Sequence, residues 1–184
     1  MQSIIGLGNP GKKYETTRHN AGWLFADFLA KRLKANFIEK KKWKAEVAEV
    51  AGGGQTLLLA KPLTFMNLSG QSVQAITNFY KIDTTDLFVA FDDLDLEFGT
   101  YKIQFGKGPK VHNGLQSIYS ELGTDQFWHV RIGIDGRHGD RTIAPDKYVL
   151  QPLGQEDLKQ LNNTFEQVTH MLIERKLVRV LADS

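Results

Sequence analysis

Two dipeptides, His19-Asn20 and His112-Asn113, each set an imidazole beside an amide just ahead of a stretch with helical periodicity. Asn9 and Asn67 stand in turns, and Asp92 closes the apolar run LFVAF at 87–91. Each of these residues has an ordinary alternative role, because Asn caps helices and fills turns. Taken together they could do one kind of chemistry. A His–Asp pair would take a proton from water while amides polarise and orient a carbonyl. That is hydrolysis of an activated acyl group without a covalent intermediate. Rival chemistries lack their parts. The chain has no cysteine, which removes thiolate nucleophiles, Cys-ligated zinc and disulfides together. It has no G-x-S-x-G elbow to carry a serine nucleophile. Its five histidines (19, 112, 129, 138 and 170) include no H-x-x-x-H pair or other close metal spacing. Asp92, Asp93 and Asp95 could hold a cation, although carboxylates at a strand end are more often simply solvated.

The segment GLGNPGKK at 6–13 poses a separate question, since Gly6, Gly8 and Gly11 fit the dinucleotide fingerprint G-x-G-x-x-G. A dinucleotide fold needs its helix to start at the glycines, so that the helix N-terminus faces the pyrophosphate. Here KKYETTRH at 12–19 has no helical apolar period. As a P-loop the segment fails too, because Lys13 occupies the position of the metal-binding hydroxyl and Pro10 removes a cradling N–H. Asn9-Pro10-Gly11 reads as a turn.

The elements that must position these residues alternate between strands and helices. SIIG (3–6) reads as a buried strand. Ala21, Leu24, Phe25, Phe28, Leu29 and Leu33 recur at helical spacing, with Asn20 as N-cap. AEVAEVAGGGQTLLLAKP (45–62) predicts two strands about a glycine turn. A helix from about Ser69 carries Val73, Ile76, Phe79 and Tyr80 on one face. LFVAF is a buried strand ending at Asp92-Asp93, TYKIQF (100–105) and HVRIGI (129–134) are strands, and GLQSIYSEL (114–122) is a short helix. The last helix carries Leu158, Leu161, Phe165, Val168 and Leu172. The fold class is α/β: a single domain over 1–184, with a central twisted mixed β-sheet flanked by α-helices. Sheets of this kind place their sites in loops at strand carboxyl ends, where Asn9, Asn67 and Asp92 fall.

At 184 residues, 41% hydrophobic and 24% charged, the composition is that of one globular domain. The net charge of +2 hides an uneven spread. Residues 31–44 hold seven Lys or Arg against one Glu, whereas 83–97 hold six Asp or Glu and no base. The basic run is either a solvated face or a surface for a polyanion, and Trp43 within it mildly favours nucleic acid. No apolar stretch approaches the roughly 18 residues of a membrane span, and no signal peptide is visible. A soluble, cytoplasmic protein is expected.

Four segments, GLGNPGKKYETTRHNAGW, KPLTFMNLSG, FDDLDLEFG and HNGL, occur in this order in the bacterial-type peptidyl-tRNA hydrolases, which this chain resembles; VRIGI agrees as well. The resemblance implies hydrolysis of the ester between a peptide and the 3′ ribose of tRNA. On the matching positions, His19 would be the general base and Asp92 would hold its imidazole. Asn113 and Asn9 would position water and the peptide carbonyl, Asn67 with Met66 would grip the peptide, and Tyr14 would lie along the ribose and terminal adenosine. His112 would be a capping or supporting residue without a proton role. Members of the family spare aminoacyl-tRNA with a free amine, and a monomer with no metal or cofactor is implied. Two departures stand out. The family's glycine-rich stretch before HNG is GKGPKV (106–111) here. Of the Lys and Arg that clamp a tRNA phosphate, Arg131 matches, but the Lys position falls on Gln104, with Lys102 on the same strand face. A non-catalytic RNA-binding relative remains the alternative, since a chloroplast splicing factor resembles the family; the presence of both His19 and Asp92 favours the enzyme.

Overall fold

The structure is a computed structural model that describes residues 1–52 and 54–180. Its strands are β1 (Gln2–Gly6), β2 (Ile38–Lys40), β3 (Ala45–Gly52), β4 (Gln55–Pro62), β5 (Leu87–Glu97), β6 (Tyr101–Phe105) and β7 (Trp128–Asp135). Its helices are α1 (Ala21–Arg32), α2 (Ser69–Tyr80), α3 (Asn113–Leu122), α4 (Pro145–Val149) and α5 (Gln155–Glu174). The strands form one mixed sheet in the order β2-β3-β4-β1-β5-β7-β6. The inner four, β4-β1-β5-β7, are parallel, and antiparallel pairings extend the sheet at both sides. Most expected elements are present. The short β2 and α4 are additional, and the glycine turn between β3 and β4 includes residue 53, outside the described residues.

Alternation along the inner strands sorts the core into two layers. Ile4, Leu57, Leu59, Phe88 and Ala90 face α1 and α5, where Phe25, Leu29, Leu161, Phe165 and Val168 are buried. Ile5, Leu58, Val89 and Phe91 face α2 and α3, against Val73, Ile76, Leu115 and Ile118. Strands buried on both faces read as continuous apolar runs, which is why IIGL, LLLA and LFVAF show no alternation in the sequence.

Two local expectations change. First, β5 does not stop at Asp92-Asp93. It continues to Glu97, pairing Asp92 with Ile132 and Asp93 with Gly133 before its register shifts. The two carboxylates stay in the sheet because each has a buried cationic or N–H partner, described below. Second, Trp43 offers no surface to a base. It is buried among Phe79 and Tyr80, with the Lys42 ammonium over the Trp43 and Phe79 rings at 4.4 and 3.8 Å. Arg32 pairs with Glu166 and Lys44 with Gln71, so the basic run is partly occupied within the fold.

The glycine loop is a device for close approach, not for phosphate. A Cβ on Gly22 would strike the Ala90 carbonyl and the Leu7 backbone, and one on Gly6 would strike Gly22. Bare backbone at these points lets the start of α1 lie directly on β1 and β5. Gly11 turns the chain at φ 107°, a conformation that favours glycine.

Candidate active site

The segments that follow β1 and β4 bring Asn9 and Met66 to Asp92, midway along β5, and the turn before α1 adds His19. His19 Nδ1 lies 2.9 Å from both Asp92 carboxylate oxygens. With that N–H given to Asp92, Nε2 carries the lone pair. It makes no hydrogen bond to another described residue. The His19 side chain is 14% exposed and Asp92 only 3%, so the pair is largely withdrawn from water while the base stays reachable. Burial acts to lower the His19 pKa, but the adjacent Asp92 carboxylate outweighs it and the pKa is raised above 6.5. For Asp92, burial pushes upward, but His19 and His112 together hold its carboxyl well below the usual range.

His112 is the second partner of Asp92, with Nε2 3.1 Å from Oδ1. Its Nδ1 accepts the Leu115 N–H at 3.3 Å and thereby caps α3. An accepting Nδ1 carries no proton, so Nε2–H donates to Asp92. His112 therefore shares Asp92 Oδ1 with His19, the two rings lying side by side with centroids 5.4 Å apart, and it caps α3 as expected. The three groups also lie close enough to be considered as metal ligands. The capping bond argues against that use, because it keeps the proton on the nitrogen that would have to bind the ion. Sequence spacing gave no sign of this trio, since residues 19, 92 and 112 lie on three different elements.

Asn9 is held rigidly. Its Oδ1 accepts the Met66 N–H at 2.8 Å, while its backbone N–H and C=O are bound by the Asn20 side chain at 2.9 and 3.0 Å. Its Nδ2 has no partner among the described residues. Asn20 was expected to cap α1; it makes no capping bond and turns instead to Asn9. Met66 is buried, with its sulfur against Gly114 at the start of α3. It forms floor more than rim. Asn67 and Asn113 are exposed and their side chains are bound to no described residue. Tyr14 is half-buried and meets Phe65 edge-on, centroids 6.5 Å apart; Phe65 is 54% exposed. Phe65 was not singled out from the sequence.

Arg131 and Lys102 face each other across β6 and β7. Lys102 is exposed, but Arg131 is buried, with Nε 2.6 Å from Asp93 Oδ2 and Nη1 3.0 Å from Gln104 Oε1. Gln104, at the expected Lys position, serves as an acceptor for Arg131. A cavity of about 700 Å³ lies elsewhere, between Leu24 and Phe28 of α1 and Leu161 and Phe165 of α5, and no imidazole lines it.

Fold and site together define an α/β protein in which a largely buried imidazole–carboxylate pair lies beside the amide of Asn9, an arrangement capable of general-base chemistry. The sequence model of the family described as "Peptidyl-tRNA hydrolase" matches residues 3–180. Relatives named peptidyl-tRNA hydrolase include one from Neisseria meningitidis, 45% identical over 163 residues, covering 89% of this chain and 84% of its own. Another, from Rickettsia bellii, is 39% identical over 180 residues and covers 96% of both. A crystal structure of peptidyl-tRNA hydrolase from Acinetobacter baumannii superposes with a TM-score of 0.84 at 29% identity, covering all of this chain and 93% of that one. The chain belongs to the peptidyl-tRNA hydrolase family.

Proposed function

We propose that His19, held by Asp92, activates the water that cleaves the ester between peptide and tRNA 3′ ribose. The activity itself goes with the family: the chain is a hydrolase acting on peptidyl-tRNA. The observation that carries the mechanism is His19 Nδ1 against both Asp92 oxygens at 2.9 Å, which leaves Nε2 without a partner among the described residues on a side chain that is 14% exposed. Nε2 takes a proton from water as the water oxygen attacks the carbonyl carbon. The carbonyl oxygen gathers charge, which Asn9 Nδ2 stabilises as a donor. The C–O bond to the ribose then breaks, and the 3′ oxygen takes the proton back from the imidazolium. Asp92 keeps Nδ1–H oriented throughout and stabilises the cation that forms. No step calls for a metal or cofactor.

Exposed Asn67 and Asn113 contact the peptide amide and the water, and Tyr14 with Phe65 lies along the terminal nucleoside. Exposed Lys102 meets a tRNA phosphate, with Arg131, bound to Asp93 and Gln104, adding its charge from behind. The whole chain, residues 1–184, works as one domain, a monomer in the cytoplasm; among the described residues no helix is long and apolar enough to cross a membrane. A purely RNA-binding role is not favoured, since such a protein has no use for a buried His–Asp pair open to water. The reading is tested by offering the purified protein N-acetylated and free-amine forms of the same aminoacyl-tRNA. Rapid release from the first and little from the second is expected; equal release from both would reject peptide recognition by the amides.

A further inference from the structure

The two His-Asn dipeptides serve opposite ends. At 112–113 the histidine caps the following helix. At 19–20 the residue in the capping position, Asn20, leaves its helix uncapped and spends both ends of its amide on Asn9. A local hydrogen bond within easy reach has been given up for two distant ones.

We propose that Asn20 is a positioning residue for the hydrolysis, acting through Asn9 alone. Its side chain is fully buried, so it touches no substrate. Oδ1 accepts the N–H on one side of Asn9 and Nδ2 donates to the C=O on the other, which fixes both peptide planes that flank Asn9. The Met66 N–H then fixes the side-chain rotation through Oδ1. Three of the four polar groups of Asn9 are thereby committed, and Nδ2 remains to donate into the cleft. Asn20 also directly follows His19, so one short turn before α1 carries the base and sets the amide that answers it. The distance between proton acceptor and carbonyl donor is fixed through adjacent residues. Small errors in such a distance are costly, because misplacement by about 1 Å can lower a rate on the order of 100-fold.

The inference rests on Asn9 serving the carbonyl, and a double-mutant cycle separates the two claims. Asn9→Ala, Asn20→Ala and the double variant are assayed for kcat, KM and pH profile on N-acetylated aminoacyl-tRNA. Asn20→Ala is expected to lower kcat by roughly 10- to 100-fold with little change in KM. The acid limb of the profile should stay in place, because the Asn20 side chain makes its hydrogen bonds to Asn9 and none to the His19–Asp92 pair. In the Asn9→Ala background the same change should cost kcat nothing further. Asn20→Ser keeps a short hydroxyl that can accept from the Asn9 N–H or donate to its C=O, and should restore part of the rate; it also carries the test if the Ala variant does not fold. Losses that multiply in the double variant, or a shifted acid limb, would overturn the positioning role while leaving Asn9 in place. An Asn9→Ala enzyme with unaltered kcat would remove both claims.

Discussion

His19 faces a conflict that its neighbours resolve. Burial alone would leave it a weak base, and Asp92 reverses that by favouring the imidazolium. The sign of the consequence follows. As the proposed base, His19 works only when neutral, so kcat/KM should fall as pH drops through its raised pKa. Asp92→Asn removes the group that raises this pKa and leaves burial, which lowers it. The variant should lose roughly 10²- to 10⁴-fold in kcat, and its acid limb should move to lower pH in a pH–rate profile. A full-rate variant with an unmoved limb would break the His–Asp assignment. The contact between His19 and Asp92 was legible in the sequence because few residue types can form such a pair, whereas the exposed Asn67 and Asn113 make no bond to a described residue and their roles are proposals. Asn20 was misread because the capping rule is local, whereas its partner lies across a loop. The pairing of Asp93 with Arg131 depends on register between β5 and β7, which spacing alone does not give.

At the level of elements, the site depends on how closely α1 approaches the sheet. Gly22 touches backbone on both β5 and the segment after β1, so a methyl group there has no flexible neighbour to displace. Gly22→Ala should destabilise the protein by roughly 3 kcal/mol. It should also reduce kcat at temperatures where the fold persists, since it pushes the helix that follows His19 away from the strand that carries Asp92. Thermal melting with parallel assays checks this; unchanged melting would mean that α1 has room to shift. The long, periodic or doubly buried elements were legible as such. β2 and α4, at three and five residues, are too short to show a period. The continuation of β5 past Asp92 was hidden because two adjacent carboxylates look like a strand end until their partners are known.

Across the whole molecule, the small net charge says little about where tRNA lies, because partners within the fold absorb much of it. Arg131 and Lys102 illustrate the difference. Arg131→Ala leaves Asp93 buried without its cation and should cost about 3–5 kcal/mol in stability, whatever its effect on tRNA. Lys102 is exposed and has no such debt. Lys102→Ala should keep its melting temperature, raise KM for full-length substrate, and reduce the salt dependence of kcat/KM by about one unit of log–log slope. It should scarcely affect a minimal peptidyl-adenosine ester. Equal effects on the long and short substrates would remove Lys102 from the phosphate contact.

The most direct test of the central claim is release of an N-acetylated amino acid from its tRNA by purified protein in EDTA, beside a His19→Ala control. Water activated at His19 predicts full release by the wild type and near-complete loss in the variant, with tRNA affinity retained. Release that EDTA abolishes, or that survives His19→Ala, would contradict it.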